Sequence, residues 1–310
     1  MAKSVTRLVD DKHQRAFIKL FDAACQRHNR WSVFTDFVHM AAISISNAVD
    51  KSHAEAREKD YLRIVQQYDK KELDCFAHML AEITLGLDAY PDQDFMGELF
   101  MNLDLGNKYR GQFFTPYNIS RMMAEMLSSK EGLERQIKEQ GWIGVNDCAC
   151  GAGGMLAAFA NTCTRYDVNY QRHVLFVGQD VDYTAGFMCY LQLSLLGCPG
   201  YVVIANTLSE PTISLDGRGL IPDPTQEIWY TPLYFLPEWH YRRQFAYLER
   251  LMNLAADACE INGGKTPEIK PELNRAESAP MPIETPEAKP ELNQAEVILN
   301  ETKTGQLSLF

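Results

Sequence analysis
The nine residues "NDCACGAGG", Asn146 to Gly154, lie between an apolar run, "GWIGV" at 141–145, and a helical pattern, "MLAAFANTC" at 155–163. An acidic residue closes a strand, and glycines then turn the backbone tightly into a helix. Glycine permits left-handed backbone and close approach. The start of a helix presents main-chain N–H groups to a ligand. Such a turn is also a common packing device, so its neighbours decide its meaning.

The scheme recurs downstream. "HVLFVGQDVDYTAGFMCYLQLSLLG" predicts a strand over 173–178, an acidic turn ending in Asp180, and a helix over 183–196. "YVVIANTL" is a third strand and "EIWYTPLYF" a candidate fourth. "PEWHYRRQFAYLERLMNLAADACE" predicts a last helix over 238–259. Strands alternating with helices predict parallel pairing in a layered α/β sheet. Asp180 closes the second strand, where a carboxylate can accept hydrogen bonds from a ribose diol. With the Gly-rich turn, this suits a nucleoside cofactor at the strand ends.

Residues 1–110 carry helical periodicity, as in "DKHQRAFIKLFDAACQRH" and "KELDCFAHMLAEITLGLDAY". "GQFFTPYNISRMMAEML" at 111–127 opens another helix at Thr115-Pro116, with Thr115 or Asn118 as cap. From Asn262 the composition turns to Pro, Glu, Lys and Asn, and "TPEIKPELNRAE" at 266–277 returns as "TPEAKPELNQAE" at 285–296. So few apolar residues cannot offset ordering entropy, which predicts an extended tether. Three parts follow: a helical N-terminal domain over 1–110, an α/β domain over 111–260, and a disordered tail over 261–310.

The chain has 310 residues, 46% hydrophobic, as expected of globular domains. No apolar run reaches membrane-spanning length, and the N-terminus has no apolar signal segment. Eight cysteines, with "CAC" at 148–150 lacking zinc-ligand spacing, predict reduced thiols in a cytoplasmic protein. The net charge of −11 argues against a body that coats DNA by charge. A nucleic-acid contact would be a local basic strip or come through a partner.

Four motifs in order, "GQFFTP", "NDCACGAGG", "GQD" and "ANTL", resemble the methylation subunit of type I restriction–modification systems, an adenine-N6 DNA methyltransferase family. The resemblance covers about 95–235. It implies a Rossmann-like class I methyltransferase core with a partial parallel sheet, and an S-adenosylmethionine site. Phe114, Thr115 and Pro116 would lie against the methionine end. Asp147, Gly151 and Gly153 would form the loop around it, and Asp180 would bind the ribose. Asn206, standing for the family Asp, would accept from the adenine amino group.

One departure concerns catalysis. The family's "N-P-P-[FY]" is absent from the sequence, and Thr231-Pro232-Leu233-Tyr234 stands at its expected place. Tyr234 could stack on a base, while Thr231 is a poor substitute for an amide acceptor; Thr231, Pro232 and Tyr234 are the degenerate catalytic candidates. An ordinary buried strand and turn is the other reading of this stretch.

The C-terminal "QLSLF" is similar to the pentapeptide that docks on the bacterial DNA polymerase sliding clamp. Gln306 would bond at the rim, and Leu307, Leu309 and Phe310 would fill apolar pockets. An incidental apolar end or a degradation signal are the alternatives. Three readings stay open: a working DNA methyltransferase with an unorthodox site; a cofactor-binding, catalytically silent module at the replication fork, from a phage or mobile element; and a half-enzyme completed by a separately encoded subunit.

Overall fold
The computed structural model describes residues 11–105, 114–261, 300–301 and 307–308. Five helices come first: α1 (Lys12–Ala24), α2 (Arg30–Val49), α3 (Ala54–Val65), α4 (Lys70–Ala89) and α5 (Phe95–Asn102). Their starts are set by acidic and amide caps. Asp11 accepts from Gln14 N, Asn29 from Trp31 N, and Asp69 forms a reciprocal capping box with Glu72. Phe17 and Phe21, one turn apart, meet Phe37 and Phe34 edge-on. This aromatic seam joins α1 to α2.

Then follow α6 (Tyr117–Leu127), α7 (Lys130–Gln140), β1 (Ile143–Asp147), α8 (Gly154–Arg165), the short α9 (Tyr170–His173), β2 (Val174–Asp180), α10 (Tyr183–Leu195) and β3 (Gly200–Ile204). β4 (Ile228–Tyr230), a 3-10 turn over Pro232–Phe235, and α11 (Pro237–Ile261) complete the body. The sheet runs β1-β2-β3-β4. β1, β2 and β3 are parallel, in the register Asp147↔Gly178 and Asp180↔Ile204. The fold is therefore α/β with a mostly parallel sheet.

β4 departs from the expected parallel pairing. It lies antiparallel to β3, with Tyr201 opposite Tyr230. A parallel strand needs a crossover, usually a helix. Residues 205–227 supply none and hold Pro211, Pro222, Pro224, Gly217 and Gly219. The chain comes back along the same side of the sheet and enters β4 from the end where β3 finished.

Helices cover one face of the sheet in the order α6, α8, α10, α2, each packed on the next; α8 lies against β1, and α10 against β2 and β3. The core of this face continues unbroken from Phe17 to Trp229, so the first five helices share it. The other face holds Trp142, Leu175, Val177, Tyr201 and Val203 beneath Leu220, Tyr234 and Trp239. No helix among the described residues is long and apolar enough to cross a membrane. Near the C-terminus, β5 (Asn300–Glu301) and β6 (Leu307–Ser308) pair antiparallel, with Leu307 opposite Glu301. Gln306, Leu309 and Phe310, and most of the expected tether, lie outside the described residues.

Arg57 locks the helical region to the sheet. From α3 it bonds Asp50 at 2.9 Å and the Ile228 carbonyl of β4 at 2.7 Å, and its guanidinium lies 3.9 Å from the Trp229 ring centroid. Asp50 is only 3% exposed. Arg57→Ala leaves that carboxylate without its main cation, and breaking a buried pair costs about 3–5 kcal/mol. Urea denaturation is expected to show a loss near that range; a change below ~1 kcal/mol would mean that Asp50 is satisfied by His53 and Ser52 alone.

Candidate functional site
The C-terminal ends of β1, β2 and β3 lie side by side, and the loops after them form a cleft. Gly151 and Gly153 have φ of 54° and 88°. Both also stand where a side chain would collide. A Cβ on Gly151 would sit 2.8 Å from the Phe114 ring, one on Gly153 2.9 Å from Cys189 Sγ, and one on Gly154 2.7 Å from Asp94 Oδ2. The loop therefore needs glycine for both conformation and space. It ends in α8, which no side chain caps. The first N–H groups of that helix are thus left without a side-chain acceptor at the positive end of its dipole, and Gly154 and Met155 line an adjoining cavity.

Several hydrogen bonds hold the loop, among them Cys150 N to the Gln179 carbonyl at 2.9 Å and Gln192 Nε2 to the Ala152 carbonyl at 3.2 Å. Gly151 N donates to Asp180 Oδ2 at 2.9 Å, and Thr207 Oγ1 donates to the Cys148 carbonyl at 2.5 Å. Asp180 also accepts from Asp182 N at 2.9 Å, through its other oxygen. A carboxylate offers about four acceptor sites, so Asp180 keeps capacity for a ligand. Asp147 accepts from Ala149 N. Burial, and then the charge of Asp180, push the Asp147 carboxyl above its usual range against that hydrogen bond.

A cavity of about 190 Å³ opens at the start of α8, walled by Asp94, Phe114, Thr115, Ser120, Asp147 and Gly151 among others. A second, of about 340 Å³, adjoins it and shares Asp94, Phe114 and Thr115, with Pro116 on its rim. The structure thus brings Phe114, Thr115, Pro116, Asp147 and Gly151 to one place. Gly153 lies beneath the loop, and Asp180 is joined to it through Gly151. Asn206 is exposed at the end of β3, where its Oδ1 accepts from Leu208 N at 2.9 Å. Val181 and Leu208, 65% and 95% exposed, are apolar neighbours of Asp180 and Asn206.

Two wall residues were not among the sequence candidates. Asp94 is 3% exposed; its Oδ1 accepts from Gly97 N and from Gln192 Nε2, while Oδ2 faces Gly154. Burial raises its carboxyl above the usual range, against those two hydrogen bonds. Ser120 is 1% exposed, and its hydroxyl has no partner. A buried polar atom left so calls for a partner, and a bound water or ligand supplies one. The signal for Asp94 was the "YPDQD" turn before an apolar run, which shows a cap but not a cavity.

Thr231, Pro232 and Tyr234 are not in the cleft. Because β4 runs antiparallel, its end reaches the start of β3, the opposite end of the sheet. Thr231 is fully buried; its hydroxyl donates to the Cys198 carbonyl at 2.7 Å and accepts from Gly200 N at 2.9 Å. Tyr234 is 4% exposed and donates to the Leu220 carbonyl at 2.7 Å. These side chains fasten the 3-10 turn, and Tyr234 presents no ring to a base. The expected stand-in for a catalytic tetrapeptide is corrected to a structural corner. No cluster of three or more potential metal ligands occurs among the described residues.

Residues 95–227 match the family model described as N-6 DNA methylase. No curated protein matches the chain.

Asp94 binds its proton more tightly folded than unfolded. Its stabilising share is complete below the unfolded carboxylate value of ~3.9 and is lost as pH rises through the raised folded value. Asp94→Asn keeps an acceptor for Gly97 N. Compared with the parent, it is expected to gain stability as pH rises from about 4 to 7, as read by urea melts. Parallel curves for the two proteins would show that Asp94 is not strained by burial.

Proposed function
We infer, from the match of residues 95–227 to the N-6 DNA methylase model, that the cleft binds S-adenosylmethionine and that the chain serves adenine-N6 methylation of DNA, on a Rossmann-like class I core. The observation that carries this reading is the cavity at the uncapped start of α8, with the Ser120 hydroxyl unpartnered and the Asp94 carboxyl turned into it. A zwitterionic methionine end suits such a wall. The helix N–H groups and Ser120 suit its carboxylate, and Asp94 suits its cationic groups. Thr115 and Pro116 close that side. Asp180 would hold the ribose, with Asp147 alongside. Asn206, Val181 and Leu208 would take the adenine, polar on its edge and apolar on its faces. When bound, the cofactor supplies an electrophilic methyl group.

Binding does not secure transfer. The target amino group needs preorganised acceptors, and losing one in comparable sites costs about 10²–10³ in rate. "N-P-P" is absent from the sequence, and Thr231 lies at the far end of the sheet. The isolated chain is therefore a cofactor-binding protein with weak or silent transfer, completed by a separately encoded subunit. The acidic balance of the chain favours DNA contact through such a partner. The second reading, an adenine methyltransferase active alone, is favoured by the match over the cofactor motifs.

The resemblance of "QLSLF" to the clamp-docking pentapeptide supports a role at the replication fork: Gln306, Leu307, Leu309 and Phe310 would dock on the sliding clamp once the Glu301–Leu307 pairing opened. Burying Leu309 and Phe310 supplies about 1.5–3 kcal/mol each, before ordering costs. Leu309→Ala with Phe310→Ala is expected to abolish capture of purified clamp and to leave cofactor affinity unchanged. Equal capture by both proteins sinks the docking.

Asp180→Ala removes a charged acceptor, and hydrogen bonds to charged groups are worth about 1.5–3 kcal/mol. Calorimetric titration is expected to show a loss of that order in S-adenosylmethionine affinity. Unchanged affinity with an intact fold overturns the cofactor placement. Methyladenine in DNA from cells expressing this chain alone would select the second reading.

A further inference from the structure
The strand that bears the Gly-rich loop is the least buried of the three parallel strands. All of β3 is buried, and so is β2 except its last residue; in β1, Gly144 and Asn146 are exposed, and Val145 and Asp147 are half-covered. β1 stands at the edge of the four-stranded sheet, with β2 on one side and no strand among the described residues on the other. Parallel strands are as a rule covered on both faces, and an open edge offers unpaired N–H and C=O groups.

One face beside that edge carries unpartnered apolar surface, and the other a largely polar groove. α6 packs on α8, on the side away from α10. Its outward stripe is Ile119, Met122, Met123 and Met126, spaced i, i+3, i+4, i+7, with Leu127 beside it; all five are 38–79% exposed. This inverts the usual amphipathic helix, whose apolar stripe faces a core. On the other face, a groove of about 490 Å³ runs from Gln140–Trp142, at the start of β1, to α11. α11 lines it with Arg242, Phe245, Glu249 and Arg250, and Arg218 with Asp216 closes its other wall; the exposed Tyr241, Leu248 and Met252 stand on the neighbouring face of α11.

We propose that the β1 edge, roofed by the apolar stripe of α6 and bordered by the groove toward α11, is the docking slot for a separate polypeptide that adds parallel strands with their apolar face toward α6. The inference rests on the reading of a chain completed by a partner, and it names the surface. The space fixes the kind of occupant. Helices pack about 8–10 Å apart and strands about 4.8 Å apart, so α6, one helix beyond α8, roofs room for about two strands. A second copy paired β1 to β1 with its helices on the same face would force both α6 helices into the width of one. The segment after α11 does not suit the slot either. Residues 267–290 hold six prolines, which interrupt a ladder, and the apolar run Val297–Leu299 leads into Asn300–Glu301, already paired with Leu307–Ser308.

The test places p-benzoylphenylalanine at position 126 or 146 of the full chain, in the cells that encode it. After irradiation the adducts are mapped by peptide mass spectrometry. Both positions are expected to give the same second polypeptide, joined within an apolar strand-like segment. Met126→Glu with Leu127→Glu, both at exposed sites, should reduce its co-purification at least tenfold while this chain's S-adenosylmethionine affinity stays unchanged. Adducts to residues 262–310, to a second copy, to different proteins from the two positions, or to none overturn the proposal. Absence of cofactor binding by the parent chain would fail the functional reading and leave the cross-link result to decide the slot.

Discussion
The side-chain amide of Gln192 joins the parts on which the site depends. It is fully buried on α10. Its Nε2 donates to Asp94 Oδ1 at 3.0 Å and to the Ala152 carbonyl at 3.2 Å, and its Oε1 accepts from Met96 N at 3.0 Å. Only a group with two donors and an acceptor can serve all three. A carboxylate would repel Asp94, and a hydrocarbon would take the side-chain partner from Met96 N and the Ala152 carbonyl, at about 1–3 kcal/mol each, and leave Asp94 Oδ1 with Gly97 N alone. Through this one amide, the start of α5, the Gly-rich loop and the helix over β2 and β3 hold a fixed relation. The N-terminal helices are thereby wall rather than appendage, since α5 brings Asp94 to the first turn of α8.

What could be read in advance was local. Alternating strands and helices, the Gly-rich turn and the Asp180 strand end all lie within a few residues of the feature that reveals them. The direction of β4 was also written in the sequence, but as an absence: nothing between Asn206 and Glu227 has helical period. Counting residues to Thr231 therefore reached the right strand and the wrong end of the sheet. Asp94 and Ser120 escaped for a different reason. Their roles come from contacts across the fold, such as the 98 positions between Asp94 and Gln192, and no local pattern announces them.

The loop's support is one-sided. β2 and β3 hold it through Asp180 and Thr207, whereas β1, which carries it, has a neighbour on one flank only. Precise sites are those whose supporting shell leaves no freedom. Here the cleft from Phe114 round to Asn206 is braced by hydrogen bonds from Asp180, Thr207 and Gln192. Beyond β1, α6 shows its apolar stripe, with no further strand among the described residues.

The thiols of the loop divide sharply. Cys150 and Cys189 are buried beneath it, and each other's proximity together with burial pushes the Cys150 thiol far above its usual range, so it stays protonated and inert. Cys148, two positions earlier, is exposed, whereas Cys25 and Cys75 are half-covered. Its carbonyl is gripped by Thr207, and its neighbours Asp147 and Ala149 line the cavity. The molecule thus carries its own attachment point for a dye or spin label, beside the cavity and without an engineered residue. A signal placed there would follow the filling of the cleft directly.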